Sequence, residues 1–540
     1  MNFKKIFSAV AAAAMLTACV GDLNTIPLNP TDVTSETAYG ADEQGYVQGL
    51  AKIYFQLTSN NTQDLQVADG GASEFIRAFW STQVVTADAA KCAWGDAWVN
   101  DLNNCTWKGD VLNDAVYAVY VRTLQGIAYV NEYLRQTSDA NLDLRGCSGD
   151  VKAKVQQFRA EARFLRAYFY WAAMDTFGQV PFSTENTQFG GGYNPPQKPA
   201  AEIFDFIVDE LNDLASEGSA MPAAQSNYPR ADKGSVLGLL ARVYLNAEVY
   251  AGKAMWAEAK TTCEKIYGLG YALAPTHAEL FRGDNGENAD AKKEMLFVAS
   301  YDAENNQSYG GTTYLTLSTL SGDDDAINIT GINGGWAGNR VPDHYVQTYF
   351  APSAADFESG DYTIADKRGQ YFYIKGRAQS MEGNLNTFLN GWSCIKYNNV
   401  PHDMDAVDYA ATAATKNFSD IDWPLIRLGE IHLIYAEACM NAGGDASAQV
   451  AALAERAGVA APAAIDADFL MAERARELMW EAHRRTDLIR YGKWLSGYNW
   501  TFKGGNFGGQ DLPAHFNVFP VPSTELATNL DLQQNPGYAR

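Results

Sequence analysis

Basic residues are scarce in this 540-residue chain: 41 Lys and Arg stand against 64 Asp and Glu, a formal charge of −23. That balance excludes a nucleic acid or an anionic membrane surface as the main partner, because a polyanion releases its counterions to a Lys/Arg surface that this chain lacks overall. Several enzyme signatures are missing too. There is no H-E-x-x-H, no G-x-S-x-G, no G-x-x-x-x-G-K-[ST] and no G-x-G-x-x-G between a strand and a helix. The histidines, His277, His344, His402, His432, His483 and His515, are scattered and not paired at ligand spacing. No two cysteines form C-x-x-C, which removes a zinc ribbon or a thioredoxin-like redox motif. What remains is 47% hydrophobic, 12% aromatic and 19% charged. Such a chain is globular and builds a large core, as about three units of ~150 residues or as one helical-repeat body.

The N-terminus is set apart. Lys4 and Lys5 precede an apolar run from Ile6 to Leu16, and Leu16-Thr17-Ala18 leads into Cys19. That run is too short for a helix to cross a bilayer core of ~30 Å, so it reads as a signal segment and not as an anchor. It resembles a bacterial lipobox, which implies cleavage before Cys19 and acylation of its thiol by lipid chains such as palmitate; the alternative is an ordinary secretory signal with an accidental cysteine. Beyond it, no stretch reads as a transmembrane helix. The remaining cysteines, Cys92, Cys105, Cys147, Cys263, Cys394 and Cys439, read as free buried thiols, with a Cys92–Cys105 bridge as the alternative in an oxidising compartment.

Helical spacing dominates the two ends. From Asn113 to Gln136, Val116, Val119, Tyr120, Leu124, Ile127, Val130, Asn131 and Leu134 share one face, and a second helix carries Val155, Phe158, Ala162, Leu165, Phe169 and Ala173 before Gly178 and Pro181 stop it. Further helices are predicted over Glu202–Ala215, Lys233–Tyr250, Trp256–Tyr267, Leu425–Asn441 and Phe469–Leu495. Such pairs resemble tetratricopeptide hairpins, which bury their faces only by stacking on neighbours. Residues from about Asp284 to Thr415 are rich in Gly, Asn, Asp, Ser and Tyr and read as long loops with a few short strands, where binding groups usually sit. The run Asp323, Asp324, Asp325 reads as a solvated loop.

Aromatic placement carries more information. Trp80, Trp94, Trp98 and Trp107 lie in a stretch broken by Asp, Asn and Gly, while Tyr309 in SYGGTTY and Trp336 in NGGWAGN are flanked by glycines. A ring among glycines either anchors a packed loop or forms an exposed platform. Exposed rings suit the C–H-rich faces of sugars, with Asp, Asn and Arg groups hydrogen-bonding the hydroxyls, so the set as a whole points to carbohydrate. A pair of carboxylates placed for glycoside hydrolysis is the enzyme alternative, and its separation is a three-dimensional quantity.

Four blocks then carry a resemblance: FRAEARFLRAYFYWAAMDTFGQVPF from Phe158, RADKGSVLGLLARVYLNA from Arg230, DWPLIRLGEIHLIYAEA from Asp422 and ELMWEAHRRTDLIRYGKW from Glu477. With the terminal FPVPSTELATNLDLQQNPGY, they make the chain similar to the SusD/RagB family of outer-membrane nutrient-binding lipoproteins of the Bacteroidetes. The resemblance implies a mostly α, SusD-like fold: a signal over 1–18, then one domain over 19–540 with a helical scaffold at about 40–270 and 420–495 and a loop-rich ligand region at about 60–110 and 284–415. It implies no catalysis. The protein would sit on the outer membrane facing outward, bind oligosaccharide, and deliver it to a SusC-like TonB-dependent barrel; other glycans (β-glucan, fructan, host glycan) and peptides are the alternatives. Likeness to the family's starch-binding archetype implies an arc of Trp94, Tyr309 and Trp336 for α-glucan, with Arg77 binding hydroxyls and Asp96 or Asn100 replacing an unmatched amide. Replacing the three rings together is expected to abolish glucan binding and to leave unfolding nearly unchanged. The loop FRGDNGENAD aligns with an acidic loop of the archetype; Asp284, Asn285, Glu287 and Asn288 are oxygen ligands that suit calcium, and an ordinary Asn/Gly turn explains the same letters.

Overall fold

The computed structural model describes residues 35–540 apart from 61–64, 66, 68–69, 189–193 and 323–325. The signal segment, Cys19 and the Asp323–Asp325 run lie outside the described residues. Among the described residues no helix is long and apolar enough to cross a membrane.

Helices form where the apolar spacing predicts them. The helices α1 (Glu43–Thr58), α2 (Phe75–Trp80), α3 (Asp114–Gln136), α4 (Gly149–Phe177), α5 (Ala200–Ala215), α6 (Lys233–Leu245) and α7 (Trp256–Tyr267) pack largely against their neighbours in sequence, α3 on α4, α4 on α5, α5 on α6 and α6 on α7. Side-chain caps fix their starts: Asn113 accepts from Val116 N–H ahead of α3, Ser148 from Val151 N–H ahead of α4, and Asp232 with Ser235 makes a reciprocal capping box on α6. This is the tetratricopeptide-like stacking expected, with short strands and loops laid against it.

Three expected helices differ. The predicted Lys233–Tyr250 helix is divided at Asn246, between α6 and the short helix Ala247–Ala251. Trp423–Arg427 is a buried strand, paired antiparallel with Met295–Ala299, and α9 (Leu428–Ala442) begins only after it. The run predicted over Phe469–Leu495 breaks after α10 (Ala467–Glu477), resuming at Arg484–Arg490, with Trp480 and Ala482 at positive φ. The physical reason is a buried charge cluster, to which the turn contributes its acids. Arg427 reaches Glu294 (2.9 Å), Glu477 (2.7 Å) and Glu481 (2.6 Å), all 1% exposed or less. Arg368 and Lys396 bring the loop-rich segment onto the same acids, Arg368 to Glu477 at 2.9 Å and Lys396 to Glu481 at 2.5 Å. Charges withdrawn from water need partners from every side, and these come from the scaffold and the loops alike, locking the two together.

Candidate functional site

Trp94 and Trp336 are brought together by a short ribbon. Lys91–Cys92 pairs antiparallel with Asn339–Arg340, and Ala93 N–H donates to Gly338 O at 2.8 Å, so the residues just beyond each strand must emerge side by side. The Trp94 indole N–H then donates to Trp336 O at 3.1 Å. Gly338 is required for that approach, since a Cβ there would stand 2.8 Å from the Trp94 ring. The Trp336 turn is held from below by its own N–H to Leu317 O (2.8 Å) and by Gly338 and Asn339 N–H groups to Ser318 O, at the C-terminal end of α8 (Gly311–Leu317). Tyr309 precedes the same helix, and its ring centre lies 6.3 Å from that of Trp336 at an interplanar angle of 48°.

The three rings therefore converge from chain segments more than two hundred residues apart, but they are not equally open. Tyr309 is 54% exposed, whereas Trp94 and Trp336 each keep one part against the hydrophobic core. Trp94 stands edge-on to the buried Tyr314, with centroids 6.0 Å apart, and the Arg77 guanidinium lies 5.3 Å from the Trp94 ring and 4.3 Å from that of Tyr314. Arg77 is only 3% exposed, so it supports Trp94 from beneath; the expected hydroxyl-binding role finds little surface to act through. Asp96 stays exposed just before the helix Ala97–Asn104. Asn100 is held by Asn386, whose Nδ2 donates to its Oδ1 at 3.3 Å and to Ala93 O at 3.2 Å. Nothing in the sequence marks Asn386, which arrives from a loop nearly three hundred residues away.

Beneath Tyr309 lies a carboxyl that composition does not reveal. Glu74, fully buried, accepts from the hydroxyls of Ser308 and Tyr301, so the segment start that carries Arg77 is tied to the loop that carries Tyr309. Burial pushes this carboxyl up to about 8. Gly71 closes the same junction: a Cβ there would stand 2.4 Å from Tyr309 O.

Other expected features are placed elsewhere. Trp80, Trp98 and Trp107 are buried and belong to the core, so of the four tryptophans in that segment only Trp94 reaches the surface; of the polar letters around them, Asn103 bonds both the N–H and the carbonyl of Cys92, and Asp101 accepts from Thr106 Oγ1. All six cysteines outside the N-terminus are free and buried, so Cys92 and Cys105 are not bridged. In the acidic loop, two of the four expected oxygen ligands are already used. Asn285 Oδ1 accepts from Asp422 N–H (2.9 Å), and Asn288 Oδ1 accepts from Asp290 N–H (2.9 Å) as a helix cap. Glu287 is exposed, and among the described residues the acid that gathers with Asp284 is Asp403, together with His402, their ligand atoms lying within 4.8 Å of one another. Asp284 also hydrogen-bonds the His402 ring at 2.5 Å, which holds that imidazole above its ordinary value.

The comparisons with known proteins agree with this architecture. A family model described as "SusD family" matches residues 269–538, and one described as "Starch-binding associating with outer membrane" matches residues 75–245. The chain is 30% identical over 576 aligned residues to the starch-binding protein SusD of Bacteroides thetaiotaomicron, covering 99% of each. Among solved structures, a SusD superfamily protein from Parabacteroides distasonis superposes with a TM-score of 0.69 at 20% identity, over 94% of this chain and 100% of that one. Surface glycan-binding protein A from Bacteroides thetaiotaomicron, in complex with laminarihexaose, superposes with a TM-score of 0.68 at 16% identity, over 91% of this chain and 99% of that one. On these matches, which run through both halves of the chain, the protein belongs to the SusD family.

Proposed function

We propose that the protein captures α-glucan at the outer surface of the cell on the Trp94–Tyr309–Trp336 shelf and passes it to a SusC-like TonB-dependent barrel, held to the outer membrane by lipid on Cys19. The observation that carries the reading is the convergence of three partly open rings, drawn from distant segments, on one rigid base. Tyr309 and Trp336 are tilted by 48° to one another, which suits a curled glucan better than a flat ribbon such as cellulose. Support also comes from the starch-binding relative at 30% identity along the whole chain. Asp96 and the Asn100–Asn386 pair border Trp94 and are the polar groups best placed to meet sugar hydroxyls. Binding by stacking needs no general acid, and the protein has no catalytic role in this reading. Calcium would find oxygen ligands in the Asp284 and Asp403 carboxylates, with Glu287 exposed in the same loop as Asp284; the His402 ring offers nitrogen, a poor ligand for that hard cation, and is already hydrogen-bonded to Asp284.

A β-1,3-glucan is the second reading, favoured by the likeness to a laminarihexaose-bound neighbour and by the same ring tilt. Calorimetry against maltoheptaose, laminarihexaose, cellohexaose and a casein digest separates the candidates. Maltoheptaose binds best on this account. Tyr309→Ala weakens it about fivefold, on the scale of ~1 kcal/mol for one aromatic contact, with the unfolding temperature unchanged. Because Trp94 is wedged against Tyr314 and Arg77, Trp94→Ala also costs stability, unlike the sequence-based expectation for the triple variant. No release of reducing ends from starch is expected. Equal affinity of wild type and Tyr309→Ala for every glucan would overturn the site assignment.

A further inference from the structure

We propose that Phe418 is a fourth stacking position, extending the shelf past Tyr309 so that one more sugar unit of a bound oligoglucan is held there; this rests on the glycan reading above. The Phe418 ring centre lies 5.0 Å from that of Tyr309 at 52°, closer than Tyr309 lies to Trp336. Tyr309 thus neighbours both rings, and its plane is tilted by about 50° to each. Phenylalanine has no polar atom that gains from water, yet Phe418 is left half-buried and, among the described residues, outside the hydrophobic core, with Tyr309 as its ring neighbour. An apolar face left open beside an exposed tyrosine is a surface shaped for another apolar face.

Its backbone is fixed by the same elements that fix the shelf. Asn333 N–H, from the turn that carries Trp336, donates to Lys416 O at 3.0 Å, and Ser419 N–H donates to Thr313 Oγ1 in α8 at 3.0 Å. Asp420 N–H is held by Asn399 Oδ1 at 2.7 Å. The ring is therefore in place before any ligand arrives, and stacking on it requires no loop ordering. Lys416 and Asp420, paired at 2.9 Å and each only partly covered, stand on either side of Phe418 in sequence as hydrogen-bonding groups for hydroxyls at that end.

The test is the chain-length dependence of affinity, measured by calorimetry with the mature protein and maltotriose, maltopentaose and maltoheptaose, or the matching lengths of whichever oligoglucan series the wild type binds. Phe418→Ala is expected to weaken the heptasaccharide about fivefold and the trisaccharide less than twofold, and Phe418→Trp to restore the heptasaccharide. The unfolding temperature stays unchanged in both. A loss equal at all lengths would mean that Phe418 only buttresses Tyr309, and no loss at any length would mean that it does nothing for binding; either result overturns the inference and leaves the glycan reading standing. A wild type that binds no oligoglucan overturns both.

Discussion

Replacing Glu74 by glutamine is expected to make the protein more stable in alkaline solution and to change little in acid. Glu74 is fully buried beneath the Tyr309 loop, and burial lifts its carboxyl to about 8, although the Ser308 and Tyr301 hydroxyls and the charges of Arg77 and Arg122 pull the other way. In the unfolded chain the same group titrates near its ordinary value of 4.5. Between those two values the folded protein keeps a proton that the unfolded chain has released, so stability is fully present below about 4.5 and is lost as the pH rises through about 8. At about 1.4 kcal/mol per unit of difference, the loss has an upper bound of ~5 kcal/mol. Glutamine has no such proton to lose and, like the protonated acid, offers one carbonyl oxygen as acceptor to one hydroxyl and a donor group to the other, since Tyr301 and Ser308 face different oxygens of Glu74. Urea unfolding of both proteins at pH 5 and pH 9 is the assay, and the advantage of Glu74→Gln should grow by ~2–5 kcal/mol between the two. A constant offset at the two pH values would refute the assignment of a buried, protonated carboxyl at this position.

Three further outcomes follow from the same geometry. Gly338→Ala pushes the Trp94 ring off Trp336, because the added carbon meets the indole at 2.8 Å; indole fluorescence should shift and glucan affinity fall about fivefold or more. Arg427→Met leaves Glu294, Glu477 and Glu481 short of a cation in a buried cluster and is expected to cost ~3–5 kcal/mol in chemical unfolding. Dithiothreitol should not change the unfolding temperature, because the described cysteines are free thiols.

Helix positions were legible because burial of one face imposes a spacing that the letters display, and α3, α5 and α7 lie within two residues of where that spacing puts them. The strand Trp423–Arg427 was not, since a short run buried on both faces reads alike as strand or helix until its partner, Met295–Ala299, is known. The blocks that carried the family resemblance turn out to hold structural charges: Arg427, Glu477, Glu481 and Arg484 make buried ion pairs, and the buried Glu161 and Arg166 of α4 pair with the partly exposed Arg230 and Glu185. Their letters speak for the fold and say nothing about the ligand. In the site, Trp94, Tyr309 and Trp336 stood out as rings among small residues, but whether such a ring is open depends on what the fold lays over it. That is why Trp98 and Trp107, in equally polar surroundings, are buried. Glu74, Asn386 and Phe418 had no local signal, because each acquires its meaning from a neighbour far away in the chain.

The most direct test is a crystal structure of the protein with maltoheptaose. The sugar should lie along Trp94, Trp336 and Tyr309 with its C–H faces against the rings. Density instead in the cavity of about 910 Å³ beside His277, Arg282, Lys367 and His402, with the three rings bare, would contradict the account.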